Sequence, residues 1–411
     1  MENSKLELSK LDNSNLVFYK SDRDFFREGY FHLSILREET PVLIDPNLVQ
    51  FWIHQLNVEI LTIQDIEPPN KTELERIFTN GNLLPLSEIG DYNLYFATSG
   101  STGEPKLICK SDREIGSEVE FLIPFLQKKY NRSFFNSEFL VTIPIFHVYG
   151  FIWGFALPLE LRSKILDSES LSSMRRILKE FSPEVWITVP SILSSLMELE
   201  SLTNVNQGSN PNSEYQPLIV SSGSAMSDET LTKLIENNFK NIIEIYGSTE
   251  TGGIGFREPS ESKWIEKFAC HKIQSIDDCL VIQSKFIHPT IALDDSGHFH
   301  TQDIIELDGD KFLYKGRKDR IVKIHAKRIH LDIVEKEIQS MEGVLDVIVV
   351  PTESNGDLEI SALIHKNNSI EDLDWSHIPK YFLPTRIKYL DELPYLPNGK
   401  KDYEKTKRFF D

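Results

Sequence analysis

Lys106 closes the run TSGSTGEPK at residues 98–106, where hydroxyls and glycines alternate ahead of a single cation. Glycine reaches positive φ without penalty, so consecutive backbone N–H groups can converge on an anion while the hydroxyls add donors. That chemistry suits a chain of phosphates; a plain surface turn is the bland alternative. The run is not a Walker-type loop, because Gly100 and Gly103 stand too close together and neither Ser nor Thr follows Lys106. At residues 246–250, YGSTE places a hydroxyl and a carboxylate after an apolar run, as a magnesium-bound phosphate would need; a helix N-cap has the same composition. His147, in PIFHVYG at 144–150, reads as a general base or, more simply, as a core histidine with its bonds satisfied. SSGSA at 221–225 is a small-residue turn against which a flat ring could lie. Asp303 of TQD, together with Arg317, could take the hydroxyls of a ribose, although an isolated Asp is usually just solvated. Lys400, in PNGK, is by itself a lysine in a turn.

Each of these segments ends or follows a stretch that reads as a strand. Apolar runs at 93–98, 139–145, 186–189, 218–221 and 242–246 alternate with amphipathic stretches at 172–181 and 228–237. Strand, glycine loop and helix in repetition predict an α/β layer fold with its loops gathered at strand ends. Residues 71–78 read as an acidic helix, and 204–214, rich in Asn, Ser and Gly, as a surface loop. Beyond about residue 313 the texture changes. Basic residues crowd 315–328, an amphipathic helix is predicted over 331–340, and strands over 344–350 and 359–364. The expectation is a large domain over 1–316, short before residue 93, and a small α+β domain over 317–411, with a hinge near Asp319.

A chain of 411 residues exceeds one ordinary core. Its formal charge of −19 excludes nonspecific nucleic-acid binding, which needs basic surface, but leaves room for a small basic pocket. Cys109, Cys270 and Cys279 match no zinc spacing, which points to a reducing compartment. The N-terminal residues lack the apolar core of a signal peptide. The most apolar stretch, 139–161, is interrupted by Pro144, His147, Gly150, Gly154 and Pro158, so it reads as strand, loop and helix rather than a membrane span. A cytoplasmic protein with no membrane partner is expected.

Taken in order, TSGSTGEPK, PIFHVYG, SSGSA, YGSTE, TQD, GRKDRIVK and PNGK resemble the motif series of the ANL superfamily: acyl- and aryl-CoA synthetases, peptide-synthetase adenylation domains and luciferases. The resemblance runs from about residue 95 to residue 400. It implies an enzyme that uses ATP and Mg2+ to convert a carboxylic acid to an acyl-AMP, then passes the acyl group to the pantetheine thiol of coenzyme A or of an acyl carrier protein. It implies that Thr98, Ser99, Gly100, Ser101, Thr102, Gly103 and Lys106 close over the departing pyrophosphate. Gly223, Ser224 and Ala225 would lie against adenine, with Tyr246 and Gly247 on its other side. Thr249 would bond the α-phosphate and Glu250 the magnesium; Asp303 and Arg317 would take the ribose. His147, Tyr149, Gly150, Trp153, Ser222 and Gly252 would line the acid pocket. Lys400 would reach the reacting oxygens during adenylation, and the small domain would rotate about Asp319 before thiol transfer. No general base is implied, because the acid is already ionised.

The sequence departs from the pattern at Gln302, where the family has Gly, and at Ala326, where it has the Gly bordering the thiol tunnel. Residues 258–278 lack the usual glycine-rich connection. The compact form is most similar to the short ligases of bacterial aryl-polyene and related pathways, which implies a carrier-protein acceptor. The cluster Lys315, Arg317, Lys318, Arg320, Lys323, Lys327 and Arg328 could receive that carrier or the CoA phosphates; a solvated basic face is the alternative. Two other readings are an enzyme that stops at the acyl-AMP and an inactive nucleotide-binding sensor or scaffold. Retention of Lys106, Glu250, Asp303, Arg317 and Lys400 speaks against the last. Phe146, Tyr149, Phe151 and Trp153 suggest a partly aromatic pocket for an aryl or short acyl acid.

Overall fold

The computed structural model describes residues 16–20, 23–44, 61–79, 82–98, 106–168, 170–197, 216–324, 327–354, 357–367, 372–396 and 400–410. The chain divides into two compact units, Met1–Lys272 with Gln283–Leu293, and Ile273–Ile282 with Asp294–Asp411.

In the first unit, Lys164–Asp167, Glu138–Val141, Val185–Thr188, Leu218–Ser222 and Ile242–Ser248 pair in parallel, side by side. Gly252–Arg257 and Ile265–Lys267 continue the row antiparallel. The parallel strands are almost uniformly apolar because both their faces are covered. Leu140, Trp186, Ile219 and Ile242 point to one side, where Met174, Leu193 and Leu234 of the helices Leu171–Glu180, Pro190–Met197 and Asp228–Glu236 pack on them. Val185, Ile187, Val220, Ile243 and Ile245 point to the other, into a core shared with Leu122 and Leu126 of the helix Asp112–Tyr130 and with Phe151 and Phe155. The predicted strands and helices at 172–181, 186–189, 218–221, 228–237 and 242–246 are thus present within a residue or two. The loop expected at 204–214 lies outside the described residues.

A second sheet orders Leu16–Lys20, Thr40–Ile44, Asn93–Thr98 and Lys106–Ser111, the last two forming a hairpin in which Thr98 faces Lys106. Ser111 and Glu114 form a reciprocal capping box that starts the helix Asp112–Tyr130 directly from this hairpin. The stretch expected as one strand at 139–145 ends at Val141, and the chain turns into a continuous helical rod built from Val148–Phe151, a π turn at Ile152–Ala156 and Leu157–Glu160.

In the second unit, Phe299–Asp308 and Lys311–Arg317 form a hairpin, and Ile321–Ile324 with Lys327–His330 a second one. Val344–Ser354 pairs with Asp357–Lys366, which pairs with Arg386–Tyr389. Strand alternation sorts the core: Val347 and Val349 lie under Val334 and Ile338 of the helix Leu331–Gln339, while Ile348 and Val350 meet Leu393 and Phe410 on the opposite face. Among the described residues no helix is long and apolar enough to cross a membrane.

Candidate active site

The C-terminal ends of the parallel strands bring three of the sequence motifs together, as open α/β sheets do with their ligand sites. Leu218–Ser222 runs into Gly223, Ser224 and Ala225, all exposed, and Gly223 turns the chain at φ 93°. Ser222 Oγ donates to the Ile245 carbonyl at 2.8 Å, tying this strand end to the neighbouring strand that delivers Tyr246. The turn after Ser222 is held from below by Glu244, which accepts a bond from the Met226 amide and pairs with Arg257. Glu244 is buried, and no motif marked it; its signal was only a carboxylate inside an otherwise apolar strand.

Ile242–Ser248 bulges between Tyr246 and Gly247. A Cβ on Gly247 would stand 2.2 Å from the Gly252 carbonyl, so only glycine allows the turn to fold back on itself. Ser248 and Thr251 lock that turn through reciprocal bonds: Ser248 N to Thr251 Oγ1 at 3.1 Å and Thr251 N to Ser248 Oγ at 3.3 Å. Thr249 and Glu250 stand half-buried at its tip.

The hairpin that brackets the phosphate-loop motif meets this turn. Lys106 opens the strand Lys106–Ser111 and is exposed, while Lys110 of the same strand is buried and donates to the Glu250 carbonyl at 3.0 Å and to the Phe286 carbonyl. Burial pulls Lys110 down to about 8, against the opposing pull of Glu118 and Glu114. Glu118 is pushed up to about 6 by burial, opposed by Lys110 and by the bond it accepts from the Gly253 amide at 2.8 Å. Sequence reasoning passed over both residues. Residues 99–103 of the phosphate loop, and the side chain of Thr98, lie outside the described residues.

The PIFHVYG segment crosses the same strand ends. The Tyr149 hydroxyl lies 3.2 Å from the Thr188 carbonyl and 3.0 Å from that of Val220, donating to both in a shared bond, and burial holds it well above the ordinary phenol range. A Cβ on Gly150 would stand 2.0 Å from the Pro144 carbonyl, so the first turn of the helix Val148–Phe151 needs glycine at this position. His147 sits half-buried at the head of that helix, its ring 4.9 Å from that of Phe146. Trp153 is 1 % exposed and belongs to the core, 6.5 Å from the Tyr149 ring. Gly252 is buried at φ 67°, close against the Glu118 carboxylate.

In the second unit, Asp303 and Arg317 face each other across antiparallel strands, with Arg317 Nη1 3.1 Å from Asp303 Oδ1. Asp319 grips the same guanidinium at 2.9 and 2.7 Å, so the expected hinge residue also orients the expected ribose-binding arginine. Much of the basic cluster is internally paired: Lys315 with Glu306 at 2.8 Å, and Arg320 with Asp332 and Glu335. Lys323, Lys327 and Arg328 remain exposed. Lys400 is also exposed, on a backbone fixed by the Leu396 amide, which donates to its carbonyl at 2.7 Å. Next to it, Lys401 turns inward to Glu335 at 3.1 Å and Asp346 at 3.4 Å.

Residues 67–269 match the family model described as AMP-binding enzyme. The chain is 25% identical over 324 residues to a 4-coumarate–CoA ligase of Halorhodospira halophila, covering 75% of this chain and 74% of that protein. It is 22% identical over 387 residues to a D-alanine–D-alanyl carrier protein ligase of Staphylococcus aureus, covering 85% and 76%. Its fold is that of ATP-bound MatB from Rhodopseudomonas palustris, with a TM-score of 0.75 at 14% identity over 99% of this chain and 90% of that one.

Proposed function

Because this chain belongs to the AMP-binding, adenylate-forming enzymes of the ANL superfamily, we propose that it activates a small aryl or acyl carboxylic acid with ATP and transfers it to a pantetheine thiol, on coenzyme A or a carrier protein. In the first step a carboxylate oxygen attacks the α-phosphorus and the bond to the bridging oxygen breaks, releasing pyrophosphate. In the second, the thiol displaces AMP from the acyl carbon, giving a thioester. The observation that supports this most directly is the contact of Lys110 with the Glu250 carbonyl, which joins the Lys106 strand to the Thr249–Glu250 turn at the strand ends.

The first step brings two anions together, so its barrier is chiefly electrostatic. Lys106 would offset charge on the pyrophosphate leaving group, and Lys400 charge on the α-phosphate and the attacking carboxylate. Thr249 would orient the α-phosphate. Gly223, Ser224 and Ala225 offer an exposed, side-chain-poor surface for a purine, and Asp303 with Arg317 a polar pair for ribose hydroxyls. Tyr149 shapes the acid pocket with its ring only, since backbone carbonyls hold its hydroxyl.

A magnesium ion fits this donor set. Glu250 presents one half-buried carboxylate on the turn whose sequence also carries Ser248, Thr249 and Thr251. That is an all-oxygen, incomplete site of the kind phosphates and water complete around Mg2+. When bound, the ion supplies charge neutralisation at the phosphates; Glu250 would hold it.

ATP–pyrophosphate exchange across a panel of aryl and medium-chain acids tests the first step. Exchange with at least one acid is expected, falling a hundredfold or more in Lys400→Ala. No exchange with any acid points instead to a nucleotide-binding sensor or scaffold. Adding coenzyme A, then a phosphopantetheinylated carrier protein, tests the second step; acyl-AMP that accumulates with neither overturns the thioester reading.

A further inference from the structure

Lys106 and Lys110 share one face of their strand, four residues or about 13 Å apart. Lys106 is exposed, whereas Lys110 is 2 % exposed and sits beneath the turn that carries Glu250. Its ammonium donates to the carbonyls of Glu250 and Phe286. Glu118, 3 % exposed on the following helix, accepts from the Gly253 amide at 2.8 Å, and its other oxygen lies where a Cβ on Gly252 would come to 2.3 Å. Glu114 faces the same lysine from one turn earlier, and His271 holds the Gly253 carbonyl at 2.8 Å from the far side.

Burying a lysine and a carboxylate together costs more desolvation than a well-packed apolar pair of the same volume would. An apolar pair could fill this space. It could not bond the Glu250 carbonyl and the Gly253 amide of one turn, nor the Phe286 carbonyl packed beside it. The backbone of residues 250–253 is therefore what these charges act on.

We propose that Lys110 and Glu118 are positioning residues for the metal–nucleotide end of the site: they bolt the Glu250 turn to the strand that carries Lys106, so that the Glu250 carboxylate and the Lys106 ammonium keep a fixed separation. The proposal rests on the nucleotide reading above. It assigns to the pair no contact with substrate; both act through the peptide groups of Glu250 and Gly253.

The test uses the full chain and the double variant Lys110→Met/Glu118→Gln, which removes both charges at nearly constant volume while Gln can still accept from Gly253. Binding of Mn2+·ATP is followed by electron paramagnetic resonance, binding of metal-free AMP by calorimetry, and folding by thermal unfolding. The expected result is tenfold or greater weakening of Mn2+·ATP with AMP affinity within twofold of the parent. Unchanged Mn2+·ATP affinity overturns the proposal, and so does an equal loss of AMP affinity, which would mark a merely structural pair. If the double variant does not fold, Lys110→Met, which removes the bond to the Glu250 carbonyl, carries the test: threefold weakening of Mn2+·ATP alone is expected, and no change overturns it. A parent protein that binds neither nucleotide would instead overturn the nucleotide reading, and the proposal with it.

Discussion

Tyr149 illustrates how a residue can belong to a pocket without using its functional group there. Its hydroxyl is shared between the Thr188 and Val220 carbonyls of adjacent strands. Tyr149→Phe removes that bond and keeps the ring. A buried hydrogen bond of this sort contributes about 1 kcal/mol net. The variant should therefore melt about 2 °C lower while ranking acids in pyrophosphate exchange in the same order. A changed ranking would mean that the hydroxyl reaches the substrate. At this scale the sequence marked the residues with motif-bearing chemistry: Glu250, Asp303, Arg317 and Lys400. It did not mark Lys110, Glu118 or Glu244. Those three act on backbone groups of elements distant in sequence, as when Lys110 meets the carbonyl of Glu250, and no local spacing encodes such a contact.

At the scale of elements, periodicity carried most of the parallel sheet, because strands buried on both faces leave runs such as 218–221 nearly free of polar residues. The stretch 139–161 was harder. It is apolar throughout, so neither a period of two nor one of 3.6 stands out, and the change from strand to turn and then to a helix with a π turn is set by close packing instead. Gly150 and Gly154 decide it. A Cβ at Gly150 would meet the Pro144 carbonyl at 2.0 Å, and one at Gly154 would meet Val141 Cγ1 at 2.8 Å. Backbone cannot yield as a side-chain tip can, so Gly150→Ala must push the helix start away from the strand ends. Overpacking of this kind costs about 1–3 kcal/mol. Because Tyr149 moves with the helix, the KM for the acid should rise while that for ATP stays near the parent value. Equal KM for both substrates in a destabilised variant would separate this helix from the acid pocket.

The whole molecule carries a formal charge of −19, so acid should first relieve its self-repulsion. A buried histidine in the larger unit works the other way. His32 is fully buried among aromatic rings, and its Nε2 lies 2.9 Å from the Leu84 carbonyl, which requires that nitrogen to carry the proton as donor. Burial lowers its pKa from 6.5 to about 4, with the bond to Leu84 opposing. The sign follows from proton uptake. Between pH 6.5 and about 4 the unfolded chain binds a proton at this site that the folded chain refuses, so stability is full above 6.5 and is lost as pH falls. The displacement from 6.5 to about 4 corresponds to about 3 kcal/mol once pH reaches the lower value. His271, lowered to about 4 by burial, adds to the same slope. Neither effect could be read from sequence, where a histidine among aromatics gives no sign of whether its core is dry. His32→Gln keeps a donor for the Leu84 carbonyl and removes the titration. Urea midpoints measured from pH 7.5 down to 4.5 should fall more steeply for the parent than for the variant. Parallel curves would place the acid sensitivity elsewhere in the fold.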